Sequence, residues 1–362
     1  MSDKLKELNK NLSDISTWLK VDVSPWLISG PCSAESEEQV VSTAKELAKC
    51  ANVKVYRAGI WKPRTRPDSF EGVGSAGLEW LKKVKEETSL LTTTEVANAR
   101  HVELCLDNNV DILWIGARTT VNPFLVQEIA DALKGVDIPV LVKNPVNTDL
   151  GLWLGALERL YQAGIKKLAA IHRGFSTFEE TEYRNRPHWE IPIELKRLLP
   201  DLQLICDPSH IGGQRSLIEP ISQMALDFGM KGLMIETHVK PDEALSDSKQ
   251  QITPKELIEM LHRLKARDAV AADRQLKTRI AHLRADISRI DSRIIQDVAD
   301  RMKCVEEIGK LKEKHQIPVL QIDRWEALLK DHISKAAQKD LDAEFIKALF
   351  ELIHAQAVKK QL

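Results

Sequence analysis

Residues 139–174 read PVLVKNPVNTDLGLWLGALERLYQAGIKKLAAIHRG. A short apolar run at 139–145 breaks at Asn-Pro, a helical pattern occupies 152–162, Gly164 turns the chain, and a second apolar run opens at Leu168. Short runs that stay apolar on both faces, separated by a helix, predict buried parallel strands joined by a crossover. Outward from this unit the pattern repeats in both directions. Apolar runs at 26–30, 53–59, 90–96, 112–118, 139–145, 168–174, 202–207 and 232–239 alternate with helical patterns at 37–49, 78–87, 99–108, 124–133, 152–162, 190–199, 217–228 and 254–267. Eight such pairs predict an α/β chain folded as a (β/α)8 barrel, whose chemistry sits at the strand C-terminal ends. At or just past those ends stand Cys32, Arg57, Glu95, Arg118, Lys143, Arg173, His210 and Glu236. One cleft then holds four cationic side chains, an arrangement suited to a multiply anionic substrate.

Composition narrows the partners. The 362 residues carry 52 basic and 53 acidic side chains, a net charge of −1. With no basic excess to neutralise a phosphate backbone, nucleic-acid binding is not expected. Five cysteines, at 32, 50, 105, 206 and 304, show no disulfide-framework spacing and predict reduced thiols in the cytoplasm. The start is polar, without the apolar core of a secretory leader, and no run approaches the roughly 18 apolar residues of a membrane span. Residues 1–24 read as a short amphipathic helix (Leu5, Leu8, Leu12, Ile15, Leu19) before Pro25.

Near residue 268 the character changes. The expected division is a barrel domain over 1–267, a polar, alanine-rich linker over 268–273, and an all-helical domain over 274–362. Beyond the linker Gly309 is the only glycine, and apolar residues recur at Leu276, Ile280, Leu283, Ile287, Ile290, Ile294, Val298, Met302, Val305, Ile308 and Leu311. This alternation of three and four marks a long helix with a packed seam. Pro318 ends it, and further helices are expected at 324–335 and 342–360. So long a seam cannot be buried within so small a domain, which predicts a homodimer through the helical domain.

Two residue sets carry chemistry. GlyProCysSer at 30–33, AspProSerHis at 207–210, Glu236 and Asp247 offer one thiolate, one imidazole and two carboxylates. That set suits a first-row divalent cation, and its mixed softness leaves zinc, iron, manganese and cobalt open. The second set is Arg57, Lys62, Arg64, Arg118, Lys143 and Arg173. Six converging cations repel one another unless a polyanion neutralises them, the plain alternative being salt bridges on the outer surface.

These residues resemble a family. GlyProCysSer, LysProArgThr at 62–65, GlyAlaArg at 116–118, CysAspProSerHis at 206–210, and GluThrHis through AlaLeuSerAsp at 236–247 are similar to 3-deoxy-D-arabino-heptulosonate 7-phosphate (DAHP) synthases. The resemblance implies condensation of phosphoenolpyruvate with erythrose 4-phosphate, the opening step of the shikimate pathway. It makes Cys32, His210, Glu236 and Asp247 the ligands of a divalent metal, manganese first, with cobalt, zinc or iron as alternatives. It assigns Arg57, Lys62, Arg118, Lys143 and Arg173 to phosphoenolpyruvate, and Lys62, Arg64, Thr65 and Arg215 to the sugar phosphate. Lys62 and Glu95 take catalytic roles, Glu95 by stabilising positive charge at the enol ether carbon. A sister family making an eight-carbon sugar acid carries a loop resembling Lys-Ala-Asn-Arg, and LysProArgThr favours the DAHP reaction.

The tail resembles all-helical chorismate mutases at Arg284, Arg301, Lys312, AspArg at 323–324, and Gln361. The resemblance implies that arginines, Arg324 among them, bind the substrate carboxylates, while Lys312 and Gln361 hydrogen-bond the breaking ether oxygen. Arg301 and Lys312 lie about 16 Å apart along one helix and nearly on one face, but Arg284 is about 25 Å from Arg301. An antiparallel partner helix would bring all three to one ligand. Trp325 stands where several mutases carry a glutamate, with Glu326 next, and Gln361 falls where helix ends fray. The whole chain thus reads as a bifunctional enzyme, with prephenate as a feedback ligand. The alternative is a synthase whose tail only dimerises and regulates by binding chorismate or prephenate.

Overall fold

The computed structural model describes residues 3–62, 70–178, 180–265 and 274–361. The chain divides into two compact units, Met1–Arg267 and Asp268–Leu362. The linker expected at 268–273 lies outside the described residues.

The first unit is a closed barrel of eight parallel strands in sequential order. They are β1 (Trp26–Gly30), β2 (Val53–Arg57), β3 (Leu91–Val96), β4 (Ile112–Ile115), β5 (Val140–Lys143), β6 (Leu168–His172), β7 (Gln203–Cys206) and β8 (Gly232–Glu236). Around and between them lie α1 (Asp3–Asn11), α2 (Glu37–Leu47), α3 (Ala76–Thr88), α4 (Ala99–Asp107), α5 (Ala117–Thr120), α6 (Pro123–Ala132), α7 (Leu150–Gln162), α8 (Glu190–Leu198), α9 (Pro208–Gly212), α10 (Ile218–Asp227) and α11 (Pro254–Arg263). Side-chain caps start several of these where the sequence supplies them. Asn98 accepts from the His101 amide, Asp149 accepts from Leu152, and Thr253 with Glu256 forms a capping box. Most strands stop short of their apolar runs because the last residues turn into loops. At 112–118 the strand ends at Ile115, and Gly116 caps the single turn of α5 that carries Arg118.

Strand periodicity divides the apolar residues between two cores. Trp26, Ile28, Val55, Ile112, Trp114, Leu141, Ala169, Ile171, Ile205 and Met234 pack together inside the barrel. Their strand neighbours Leu27, Tyr56, Leu113, Val140, Val142, Ala170, Leu204, Leu233 and Ile235 pack outward against the helices. Residues 1–24 do not form one helix as expected. Helix α1 ends at Asn11, and Asp14 accepts from the Ser16 amide at 2.8 Å to start a separate 3-10 turn over Ile15–Thr17. That break lets Ile15 and Leu19 join the interior core, while Leu8 stays with the outer one.

One glycine is demanded by the barrel seam. Gly30 has φ 150°, and a Cβ there would lie 2.0 Å from the Arg57 carbonyl oxygen. Backbone on a neighbouring strand cannot yield as a side chain can. Gly30→Ala is therefore expected to destabilise the barrel by more than about 3 kcal/mol, at or beyond the upper end of ordinary overpacking costs. A thermal melt matching the parent protein would disprove this.

Among its described residues the second unit holds three helices, α12 (Arg274–Lys314), α13 (Ile322–Ala337) and α14 (Ala343–Gln361). Helix α12 stops before Pro318 because Gln316 adopts φ 53° and the Ile317 amide bonds back to the Lys312 carbonyl at 2.9 Å. Val305, Ala336, Ile346 and Ala357 are buried between the helices, whereas Leu276, Ile280, Leu283, Ile287, Ile290 and Ile294 are exposed. Gln361 is the last residue of α14. Among the described residues, no helix is long and apolar enough to cross a membrane.

Candidate active sites

The strand register that fills the barrel with apolar residues also sets its chemistry. Two residues above Val55, Leu141, Ile171, Ile205 and Met234 stand Arg57, Lys143, Arg173, Asp207 and Glu236, all buried. The inward face simply changes from apolar to ionic at the C-terminal rim. Lys62, Glu95, Arg118, Lys143, Arg173, His210 and Asp247 line one cavity at this rim, together with Arg184 and Asn185.

Cys32 Sγ and one carboxylate oxygen each of Glu236 and Asp247 lie within 4.8 Å of one another. Asp247 Oδ2 is 3.2 Å from Cys32 Sγ, and His210 Nε2 is 3.7 Å from Glu236 Oε1. The other ring nitrogen of His210 contacts the Asp207 carboxylate at 2.9 Å. This carboxylate–histidine pairing leaves Nε2 toward Glu236, the arrangement that orients metal-ligating histidines, although His210 stands outside the tight Cys32–Glu236–Asp247 group. Burial, and then Glu236, pushes the Cys32 thiol up to about 12. Lys62 Nζ lies 3.1 Å from the sulfur. A buried sulfur and two converging carboxylates, with the His210 ring beside Glu236, fit a divalent transition metal, whose charge would displace the thiol proton.

The cations are not all left for substrate, and those that are paired are paired inside the barrel rather than on its outer surface. Arg57 Nη2 pairs with Glu236 at 3.0 Å, and Lys143 with Asp207 at 2.8 Å. Burial opposes the charge on Arg57, but Glu236 and Asp207 outweigh it and raise its pKa. Burial lowers Lys143, with Asp207 opposing. Burial would raise Asp207, yet His210 and Lys143 hold it well below the usual carboxylate range. Arg57 Nε and Nη1 are buried without a hydrogen-bond partner, and its guanidinium lies 5.1 Å from the Trp114 ring centroid. Burial brings Arg173 down to about 10. Glu95 accepts from Trp114 Nε1 at 3.1 Å, and Gly116 leaves it room, since a Cβ there would lie 2.0 Å from Glu95 Oε1.

Arg215 is used differently. Its guanidinium donates to the carbonyls of Gln251 and Ser248 and pairs with Asp242 at 2.6 Å, away from the cavity lining. Arg64 and Thr65 lie outside the described residues. Asp207, by contrast, was legible only as part of a motif, and the structure makes it a hub. Asp207→Asn would strand the buried Lys143 charge. It is expected to cost about 3–5 kcal/mol, the usual penalty for breaking one side of a buried ion pair. Chemical denaturation reads this directly, and an unchanged midpoint would refute it.

In the helical unit Arg301 Nη1 and Gln361 Oε1 are buried and have no hydrogen-bond partner. Lys312 Nζ donates to the Val319 carbonyl at 2.7 Å. Helices α12 and α14 run side by side, and a Cβ on Gly309 would lie 3.1 Å from the Gln361 Cα. Trp325 stacks on His354 with ring centroids 3.9 Å apart. Burial and then Arg301 lower the His354 pKa. Arg284 and Arg324 are exposed.

Residues 20–272 match the family model described as the DAHP synthetase I family. This chain belongs to that family. Residues 283–362 match chorismate mutase type II, so a chorismate mutase domain follows the DAHP synthase domain. The synthase domain is similar to a phospho-2-dehydro-3-deoxyheptonate aldolase of Thermotoga maritima, 34% identical over 66% of this chain and 69% of the relative. It is also similar to a 2-dehydro-3-deoxyphosphooctonate aldolase of Wolinella succinogenes, 30% identical over 66% of this chain and 98% of the relative. A crystal structure of the Thermotoga maritima DAHP synthase matches with TM-score 0.59 and 32% identity, covering 66% of this chain and 67% of that one. A truncated form of a Thermotoga maritima synthase matches with TM-score 0.57 and 30% identity, covering 66% and 84%. Sequence reasoning about the synthase domain did not single out Asp207, Arg184 and Asn185. Asp207 continues the inward register of Ile205 and could have been found from it. Arg184 and Asn185 sit in an irregular loop that carries no periodic signal.

Proposed function

We propose that the barrel condenses phosphoenolpyruvate with erythrose 4-phosphate in a metal-dependent reaction, and that the helical domain converts chorismate to prephenate. The observation that carries the first half is the convergence of Cys32, Glu236 and Asp247, with His210 3.7 Å from Glu236, beside a cavity lined by Lys62, Arg118, Lys143 and Arg173. A bound divalent ion supplies Lewis acidity toward the aldehyde oxygen. Arg118, Lys143 and Arg173 hold the phosphate and carboxylate of phosphoenolpyruvate, fixing its methylene carbon toward the aldehyde. Arg57 stiffens the floor beneath the cavity through Glu236. Lys62 lies against the thiol and toward the sugar phosphate, and Glu95 offsets positive charge on the enol ether carbon as the new bond forms. Phosphoenolpyruvate consumption that requires both erythrose 4-phosphate and a divalent ion, manganese first, tests this. Turnover of arabinose 5-phosphate instead would reassign the acceptor to the sister reaction.

For the helical domain, the unpartnered Arg301 and Gln361 support a ligand site, and the exposed strip from Leu276 to Ile294 supports a homodimer. The partner helix would bring a second Arg284 to the site. Sedimentation at micromolar concentration tests the dimer. A second reading, a tail that binds chorismate or prephenate without turnover, is favoured by Trp325 in place of a glutamate, stacked on His354. Loss of chorismate absorbance separates the two. The fusion of both domains supports prephenate feedback on the barrel, which added prephenate would reveal as slower phosphoenolpyruvate consumption. The unpaired cysteines support a cytoplasmic location.

A further inference from the structure

Arg184 and Asn185 follow one another in the loop between β6 and α8, yet their side chains go to different halves of the barrel site. Asn185 is buried; its Oδ1 accepts from Arg173 Nη1 at 2.8 Å, and its Nδ2 donates to the His210 carbonyl at 2.6 Å. Arg184, partly exposed, donates from Nη1 to Asp247 Oδ1 at 2.9 Å and to Gln250 Oε1 at 2.6 Å. Gln250 in turn donates to Glu236 Oε2 at 2.7 Å. The dipeptide backbone is itself anchored, with the Arg184 amide bonded to the Gly212 carbonyl and the Asn185 amide to that of Ile211. Two glycines close on it. A Cβ on Gly213 (φ 69°) would lie 2.5 Å from the Arg184 Cβ, and one on Gly174 (φ 76°) 2.5 Å from the Asn185 carbonyl oxygen.

We propose that Arg184 and Asn185 form a positioning clasp joining the metal half of the site to the anion half. The reading rests on the metal and phosphoenolpyruvate sites proposed above. Asp247 sits on a loop with φ 49°, and its carboxylate crowds that of Glu236 and the Cys32 sulfur. The Arg184 guanidinium offsets that crowding and fixes the carboxylate's rotation, and through Gln250 it also orients Glu236. Asn185 takes one of the Arg173 N–H groups, leaving others directed at the anion, and ties this arginine to the backbone of His210. Loss of either half has its own signature.

Manganese(II) binding to the wild-type protein, followed by electron paramagnetic resonance, sets the reference. Arg184→Met is expected to weaken manganese binding by about 10–100-fold, as loss of an outer-shell partner does. Arg184→Lys, which keeps the charge, recovers part of that loss. Asn185→Ala is expected to raise the KM for phosphoenolpyruvate about tenfold at saturating metal, the size of one charge-assisted hydrogen bond, with manganese affinity unchanged. Direct phosphoenolpyruvate binding by fluorescence quenching repeats the second measurement without turnover. Unchanged manganese affinity in Arg184→Met, or unchanged phosphoenolpyruvate affinity in Asn185→Ala, overturns the clasp. So does a parallel shift of both quantities in both variants, which would mean only a loosened loop. A wild-type protein that binds no manganese would overturn the metal assignment instead, and Asn185→Ala would still decide the anion half.

Discussion

Cys32→Ala is expected to cut phosphoenolpyruvate consumption at least about 1,000-fold while leaving chorismate conversion in the same preparation intact. Loss of one preorganised electrostatic group at a reacting centre already costs about 100–1,000-fold, and Cys32 is the sole sulfur donor in its cluster. Its removal leaves Glu236 and Asp247 as crowded carboxylates with no soft ligand between them, and Lys62 without its contact to the sulfur. The thiol is also buried, which raises its pKa and disfavours a role as a free nucleophile. Cys32→Ser, with a harder oxygen in the same place, should retain more activity with manganese than with zinc. The assay follows phosphoenolpyruvate absorbance with erythrose 4-phosphate and added metal. Full activity in Cys32→Ala would show that the cluster is not the metal centre.

Arg301→Ala is expected to lower kcat/KM for chorismate by about 1,000-fold, or about 4 kcal/mol of transition-state stabilisation. The same substitution should leave the melting temperature unchanged or higher. These two outcomes together are diagnostic. A buried guanidinium nitrogen without a partner costs stability in the empty protein, so deleting it relieves a penalty. It repays that cost only when a substrate carboxylate arrives. Lys312→Met should act in the same direction, since Lys312 now spends its ammonium on the Val319 carbonyl and can exchange that contact for an ether oxygen. A variant that melts early yet retains its rate would make Arg301 a structural residue and return the tail to the role of a binding module.

Much of the fold is legible in the sequence. The alternation of eight apolar runs with helical patterns is dictated by burial on both faces, and the runs at 26–30, 168–174 and 232–239 begin at the residues where the strands do. The candidate ligands were legible because the barrel topology forces every strand end to one rim, whatever the sequence distance between Cys32 and Asp247. What escaped were irregular segments. The break after Asn11 depends on Asp14 capping a new turn, and the payoff, Ile15 inside the barrel, is a long-range contact that periodicity cannot express. Arg215, read from the resemblance as a sugar-phosphate ligand, bonds to two loop carbonyls and Asp242, contacts that no local pattern announces.

The amino-acid sequence by itself thus determined the order of strands and helices, the character of the rim and the long apolar strip of α12, because each is a repeating local pattern of burial and charge. Only the tertiary structure decided which charges cancel and which stay available. Lys143 with Asp207, Arg57 with Glu236, and Arg184 with Asp247 are pairs between elements far apart in the chain. Coulomb energy depends on distances of a few ångströms in a buried setting, and those distances are set by closing the barrel, not by any residue's neighbours in sequence.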